Sequence, residues 1–121
     1  MGVTYSEGVR RRGMPLQRFV DVTSANAAKI MGLYPRKGVL APGSDADITL
    51  IDTNFKRKLT IDDFHISDYS IWEGFEADGW PVTTILRGNV VVDNGEFKAS
   101  LGSGKFIPRK VDAAVTNRPI A

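Results

Sequence analysis

The chain has 121 residues, of which 42% are hydrophobic and 25% charged, with 16 lysines and arginines against 14 aspartates and glutamates. This length fits one domain, and the composition is that of a folded rather than a disordered chain. Because there is no cysteine and His65 is the single histidine, disulfides, thiolate sites and a histidine-rich metal centre built from this chain alone are excluded. No apolar run approaches the roughly 20 residues of a membrane helix. We therefore expect a cytoplasmic protein without a membrane partner.

The charge is distributed unevenly along the chain. Residues 1–40 carry a net charge of +5, residues 41–100 carry −6, and residues 101–121 carry +3. The run Arg10–Arg12 is the sharpest basic feature, and phosphate is a natural partner for such a run. No binding motif or interleaved aromatic residue accompanies it, so we predict a solvated loop or an inter-subunit salt-bridge site and no nucleic-acid partner.

The first third of the chain predicts two short amphipathic helices. Apolar residues recur at helical spacing over 16–20, after Pro15 in a first-turn position. Thr23 and Ser24 are predicted to interrupt this helix and to cap a second one, which ends near Gly32. Residues 1–14 and 111–121 are expected to be the least ordered.

Strand signals follow the helices. A strand is predicted at 48–51 and an edge strand at 56–61, before a long irregular segment over 62–81. An extended tail is predicted beyond Gly102. The remaining strands are predicted at 82–86, 90–92 and 96–97, joined by tight turns at 87–89 and 94–95. The fold class is therefore α+β, with two short helices and four to six short antiparallel strands. Two such helices cannot cover the apolar face of the strands, so the fold is expected to be incomplete on its own.

Few residues qualify as candidates for chemistry. Asp45 and Asp47 form a carboxylate pair, but their position at the start of a strand favours a turn and capping role. His65 as a metal ligand lacks partners in this chain, which favours a loop or interface role. We predict no catalytic, substrate-binding or metal-binding residue in the chain.

Large aromatic side chains cluster in the long irregular segment. They either line a ligand pocket or pack at an interface, and we favour interface or core packing. The interface candidates, including two residues of the tail, are Tyr69, Trp72, Phe75, Trp80, Phe106 and Arg109.

Seven segments resemble, in order, the C-terminal part of the dihydropyrimidinase and hydantoinase family, which are cyclic amidohydrolases. The match extends over nearly the whole chain, from Tyr5 to Lys110. These segments are Tyr5–Val9, Arg18–Val20 with Thr23–Ile30, Gly32–Gly38, Gly43–Ile48, Glu73–Glu76 with Gly79–Val82, Arg87–Gly95 and Gly104–Lys110. Any one of these segments occurs across amidohydrolases generally, whereas their joint order is specific for this family.

The resemblance implies a fold and an activity for a chain several times longer. Members of the family combine a TIM-type barrel with a small β-sandwich made from both ends of the chain. They hydrolyse ring amides with two metal ions, usually zinc, held by histidines, an aspartate and a carboxylated lysine. All of those ligands precede the segment that matches Tyr5, so the resemblance places none of them here.

The resemblance also implies a division of the chain. Residues 1–38 form the end of the barrel, residues 39–100 form sandwich strands with the long loop 62–81, and residues 101–121 form the tail. Two functions remain open. The chain is either a structural and oligomerising fragment of such a hydrolase, with itself or the missing N-terminal part as partner, or a non-catalytic interaction module of the dihydropyrimidinase-related type. A His-x-His motif upstream of Met1 in the reading frame would favour the hydrolase.

Overall fold

A computed structural model describes residues 1–64 and 68–117 of the chain. It is an α+β structure in which helices precede a four-stranded antiparallel sheet of order β1-β2-β3-β4. The helices are α1 (Gly2–Thr4), α2 (Leu16–Val20), α3 (Asn26–Ile30) and α4 (Ala113–Asn117), and the strands are β1 (Ile48–Lys58), β2 (Glu76–Leu86), β3 (Asn89–Asp93) and β4 (Glu96–Phe97). The predicted fold class is confirmed at this level.

The helices are longer than the sequence predicts. Helix α1 continues into a π-helical turn at Tyr5–Arg11, and the π-helical segment Asp21–Ala25 joins α2 to α3. We call these continuous stretches the N-terminal helix (2–11) and the long helix (16–30). The predicted interruption at Thr23 is wrong, because its hydroxyl donates a hydrogen bond to the Phe19 carbonyl at 2.7 Å and is satisfied within the helix.

The N-terminal helix packs against β2, contrary to the expectation that residues 1–14 are poorly ordered. Tyr5 is 5% exposed, and the Ser6 side chain is completely buried. The Ser6 hydroxyl donates to the Gly79 carbonyl at 3.2 Å and accepts a hydrogen bond from the Asp78 N–H at 3.1 Å. These bonds fix the helix to the strand.

The predicted strand at 48–51 and most of the predicted edge strand at 56–61 belong to one edge strand, β1, which ends at Lys58, so residues 59–61 lie outside it. Its pairing with β2 shifts between Leu50 and Ile51 and again between Asp52 and Lys56, so the irregular middle is absorbed as bulges. The sequence pattern loses its alternation at these bulges, and for this reason it suggested two separate strands.

The predicted irregular segment 62–81 is too long, because β2 begins at Glu76. Gly79 and Pro81 suggested a loop, yet both lie within the strand. Pro81 pairs with Ile51 on β1, next to a bulge. The ladder of hydrogen bonds is already interrupted there, so the missing N–H of the proline is tolerated. Gly79 has a φ of 84°, and the Tyr5 ring would lie 2.3 Å from a Cβ at this position.

The two tight turns of the sheet are confirmed. Arg87 and Gly88 have φ values of 49° and 80° and connect β2 to β3. Asn94 and Gly95 have φ values of 48° and 83° and connect β3 to β4. Consecutive positive φ values are typical of the hairpin turns that suit the twist of antiparallel strands.

The tail is extended after Gly102 and then forms α4, which the sequence did not predict. The Arg87 guanidinium donates to the Ser103 carbonyl at 2.7 Å, and the Lys110 N–H donates to the Gly32 carbonyl at 2.9 Å. The tail therefore crosses the end of the long helix.

The hydrophobic core is small, and part of it lies where the N-terminal helix contacts the long helix on one side and β2 on the other. The Tyr5 and Phe19 rings pack edge to face there, with centroids 5.5 Å apart. The buried apolar side chains among the described residues are Tyr5, Phe19, Ala28, Leu59 and Ala77.

Candidate functional site

An open apolar groove of about 850 Å³ lies between the long helix and the sheet. Its lining includes large apolar side chains that remain about half exposed or more, such as Leu16 at 55% and Leu40 at 71%. Isolated exposed apolar residues are ordinary, but a continuous apolar concavity marks an interaction surface. We call this surface the apolar groove; its lining includes Leu16, Val20, Met31, Leu40, Ile51 and Leu86.

A charged cluster closes one end of the apolar groove. The Lys37 ammonium donates hydrogen bonds to the carboxylates of Asp45, at 2.9 Å, and Asp47. The Arg36 guanidinium reaches the same Asp45 oxygen at 3.1 Å. The second Asp47 oxygen accepts the backbone N–H of Arg87 at 2.8 Å. These contacts join the turn after the long helix to the hairpin between β2 and β3.

The protonation equilibria follow from this geometry. Burial acts to lower the pKa of Lys37, but hydrogen bonds to Asp47 and Asp45 outweigh it and raise the pKa above its ordinary value. The hydrogen bond from Lys37 is the main cause that holds the pKa of Asp45 below its usual range. Both groups are therefore charged at neutral pH, as a structural ion-pair cluster requires.

The residues present do not fit the two-zinc centre that the resemblance implies. Asp45 and Asp47 are occupied by cations and a backbone N–H, which supports the predicted turn role. Within residues 1–64 and 68–117, no group of three or more His, Cys, Asp or Glu side chains is placed to hold a metal ion. His65 lies outside the described residues. No metal-dependent step is assigned to this part of the chain.

The arginine run is held by carboxylates of the same chain. Arg10 lies 3.1 Å from Asp78, and Arg11 and Arg12 both pair with Glu7. The Arg11 guanidinium also donates to the Glu76 carbonyl at 2.5 Å. We predicted a solvated loop or salt bridges between subunits for this run. The salt bridges in the described residues instead lie within one chain, with Glu7 of the N-terminal helix and with Asp78 of β2.

The interface candidates fall into two groups. Trp80 stacks on Phe55 with centroids 6.1 Å apart and also lies against Gly2, so it packs within the chain. Phe75 lies under Arg11, whose guanidinium carbon is 4.8 Å from the ring centroid. The candidates that remain exposed are Tyr69, Trp72, Phe106 and Arg109. Their interface role stays a prediction.

Two residues that organise these surfaces were not singled out from the sequence. Lys37 joins both aspartates, and the signal for it was a basic residue beside a Gly-rich turn followed by an Asp-x-Asp pair. Ser6 has no signal in the sequence, because its two partners on β2 are more than 70 positions away.

The chain matches the model of the Amidohydrolase family over residues 2–91. The chain belongs to the amidohydrolase family. Its predicted resemblance to dihydropyrimidinases and D-hydantoinases is confirmed by its relatives. It is 46% identical over 111 residues to a dihydropyrimidinase of Rattus norvegicus, and 41% identical over 111 residues to a D-phenylhydantoinase of Escherichia coli O1:K1.

The similarity extends to solved structures. The dihydropyrimidinase from Brevibacillus agri NCHU1002 superposes with a TM-score of 0.87 at 38% identity, over 98% of this amidohydrolase chain and 25% of its own. The two curated relatives are matched over 91% of this chain and 21% and 24% of their own lengths. The amidohydrolase chain thus spans about a fifth to a quarter of the proteins that it matches. None of the helices in its described residues is long and apolar enough to cross a membrane.

Proposed function

We propose that this chain serves as the C-terminal structural part of a metal-dependent hydrolase of cyclic amides, of the dihydropyrimidinase and hydantoinase type. In this role the N-terminal helix and the long helix close the barrel, the strands contribute to the sandwich, and the metal and catalytic residues come from the rest of the hydrolase. The activity is inferred from the dihydropyrimidinase and hydantoinase relatives, of which this chain matches 21–24%.

The observation that carries the proposal is the apolar groove. A continuous apolar concavity on a protein surface often marks a site where further protein or a ligand packs. Covering apolar area contributes about 25 cal/mol for each Å² removed from water, which gives a strong drive to pack further chain against it. The groove lies between the long helix and the sheet, at the junction of the two parts that the family assigns to barrel and sandwich.

The charge cluster supports a structural rather than a chemical role. A catalytic carboxylate needs an accessible lone pair or a proton to exchange. The carboxylates of Asp45 and Asp47 instead form ion pairs with Lys37 and Arg36 and accept a hydrogen bond from the Arg87 N–H. They hold the turn and the hairpin that border the apolar groove.

The isolated chain is therefore expected to show no hydrolysis of dihydrouracil or hydantoin above the buffer rate, with or without added zinc. A full-length D-phenylhydantoinase, assayed in parallel, provides the positive control. A zinc-dependent rate well above buffer from the isolated chain would contradict the proposal, because it would require a metal centre within these residues.

A second candidate is a non-catalytic interaction module of the dihydropyrimidinase-related type. The exposed aromatic side chains Tyr69 and Trp72, at 73% and 41% exposure, favour some protein contact besides the groove. A module of this kind would bind its partner without any dependence on zinc or substrate. Loss of partner binding on chelation would argue against it.

A further inference from the structure

The turn between β3 and β4 contains the one asparagine of the chain that is followed by glycine. The residues that follow the other asparagines all carry a side chain: Ala27, Phe55, Val90 and Arg118. Asn94 and Gly95 are both exposed, and apart from the chain neighbours no described atom lies within 4 Å of where a Cβ on Gly95 would stand. The proposed function uses neither residue, so their chemistry is a separate question.

An asparagine side chain condenses with the backbone nitrogen of the next residue. That nitrogen forms a bond to the asparagine Cγ, the Cγ–Nδ2 bond breaks, and ammonia leaves with the proton of the backbone amide. Water then opens the resulting five-membered imide at either carbonyl. Attack at the side-chain carbonyl gives aspartate, and attack at the backbone carbonyl gives isoaspartate. A side chain on the next residue hinders ring closure, so a following glycine, which lacks a Cβ, favours it most.

Few contacts hold this turn in its folded conformation. Strand β4 has two residues and pairs with β3 at two positions. To the described residues the Gly95 N–H donates no hydrogen bond, and the one polar contact of the Asn94 side chain is a long one, at 3.4 Å from the Asp93 carboxylate. Local opening of so short a hairpin costs little free energy, and it allows the Gly95 nitrogen to approach the Asn94 Cγ.

The isoaspartate product is incompatible with the hairpin as it stands. It routes the backbone through the former side chain and so lengthens a two-residue turn by one carbon atom, which disturbs the pairing of Asp93 with Glu96. It also places a new carboxylate between these two acidic residues, and repulsion among the three negative charges favours the open hairpin.

We infer that Asn94 is a site of spontaneous covalent modification, which converts it through a cyclic imide mainly to isoaspartate and thereby detaches β4 from β3 as the protein ages. The water that opens the ring is the only co-reactant. This inference goes beyond the proposed function, since it concerns the covalent structure of the last hairpin and needs neither a metal ion nor a cyclic amide substrate.

The test ages the 121-residue chain for days in mildly alkaline buffer and follows it by peptide mass spectrometry. Trypsin cuts after Arg87 and Lys98, so the peptide 88–98 carries both Asn94 and its internal control Asn89. We expect a mass increase of about 1 Da at Asn94. It should form about tenfold or more faster than at Asn89, which is followed by the branched side chain of Val90. Electron-transfer fragmentation, which distinguishes the two products, should find mainly isoaspartate.

Hydrogen exchange of the Lys98 N–H, which donates to the Val91 carbonyl at 2.9 Å, reports whether β4 stays in place. In the isoaspartate form this exchange is expected to be about tenfold or more faster. Freshly prepared Asn94→Asp adds the carboxylate without lengthening the backbone, so it is the matched control and should keep most of the protection.

Modification at Asn94 that is no faster than at Asn89, aspartate as the main product, or an isoaspartate form with unchanged exchange at Lys98 would each overturn the inference. None of these outcomes affects the zinc-dependent assay that tests the proposed function.

Discussion

At the scale of single residues, the contact between the N-terminal helix and β2 depends on side chains that are small or absent. Ser6 bridges two backbone groups of β2, and Gly79 leaves room for the Tyr5 ring. Gly2 plays the same part for Trp80, whose ring would lie 2.3 Å from a Cβ at that position. Close packing of this kind makes the contact sensitive to the addition or removal of one or two atoms.

The substitution Ser6→Ala is expected to lower the free energy of unfolding by about 1–3 kcal/mol, because it removes the buried hydrogen bond to the Gly79 carbonyl and the acceptor of the partly buried Asp78 N–H. Urea unfolding followed by tryptophan fluorescence measures the change. Ser100→Ala, at an exposed position, is the control and should change the unfolding free energy by less than about 0.5 kcal/mol. Equal effects at the two positions would disprove the bridging role of Ser6.

The substitution Gly79→Ala separates steric conflict from backbone strain when it is compared with Gly43→Ala. Both glycines have positive φ, at 84° and 89°, but Gly43 has no atom within 4 Å of its Cβ position. We expect Gly43→Ala to cost about 1–2 kcal/mol from strain alone. Gly79→Ala should cost a further 1–3 kcal/mol, roughly, from the overlap with Tyr5. Thermal unfolding compares them, and equal losses would exclude the overlap as a cause.

At the scale of elements, the turn after the long helix is tied to the β2–β3 hairpin through one lysine. Lys37 reaches Asp45 and Asp47, and Asp47 reaches the hairpin backbone at Arg87. The hydrogen bond from the Arg87 N–H to Asp47 connects elements 40 positions apart in the sequence, and Lys37 holds Asp47 in place for it. The loss of Lys37 should therefore loosen one end of the apolar groove. Their strength depends on both groups being charged.

The stabilisation from this cluster is expected to depend on pH at both extremes. The lowered pKa of Asp45 means that its contribution is present above about pH 4 and is lost as the pH falls further. The raised pKa of Lys37 means that its contribution is present below about pH 10 and is lost as the pH rises. The stability difference between the wild type and Lys37→Met should therefore be largest near neutral pH.

Unfolding curves collected from acid to alkaline pH measure this difference directly, and carbon-detected NMR follows the titration of Asp45. In Lys37→Met the pKa of Asp45 should rise towards its ordinary value. Lys98→Met removes the exposed pair with Glu96 and is the control, for which little change in stability is expected. A stability difference that is the same at every pH would contradict the ion-pair account.

The sequence predicted the elements whose signals are local. The turns at Asn94–Gly95 and around Gly88 follow from residues that favour positive φ, and the helical spacing over 16–20 is intrinsic to that segment. The extent of β2 was not predictable, since Gly79 and Pro81 are loop signals. They are accommodated only because Tyr5 fills the space beside one and a bulge lies beside the other. The contacts of Ser6 with β2 and of Lys37 with Asp45 and Asp47 were not predictable either, because they depend on how the chain folds.

At the scale of the whole molecule, the described chain has a small core and a large open apolar groove. Few apolar side chains are buried, while apolar residues such as Leu16 and Met31 stay half exposed along the groove. The sequence predicted an apolar face that two short helices leave uncovered, and the resemblance to dihydropyrimidinases and hydantoinases predicted that further chain packs against it. The location of the groove, between the long helix and the sheet, required the structure.

The central claim is that this chain completes a cyclic-amide hydrolase whose chemistry lies in the remainder of the protein. The most direct measurement replaces the matching 111-residue segment of the E. coli D-phenylhydantoinase with this chain and assays hydantoin ring opening by the zinc-loaded chimera. The claim predicts a soluble chimera that hydrolyses hydantoin, while the D-phenylhydantoinase truncated before that segment does not. A chimera that binds zinc but does not hydrolyse hydantoin, or a truncated enzyme as active as the chimera, would contradict it.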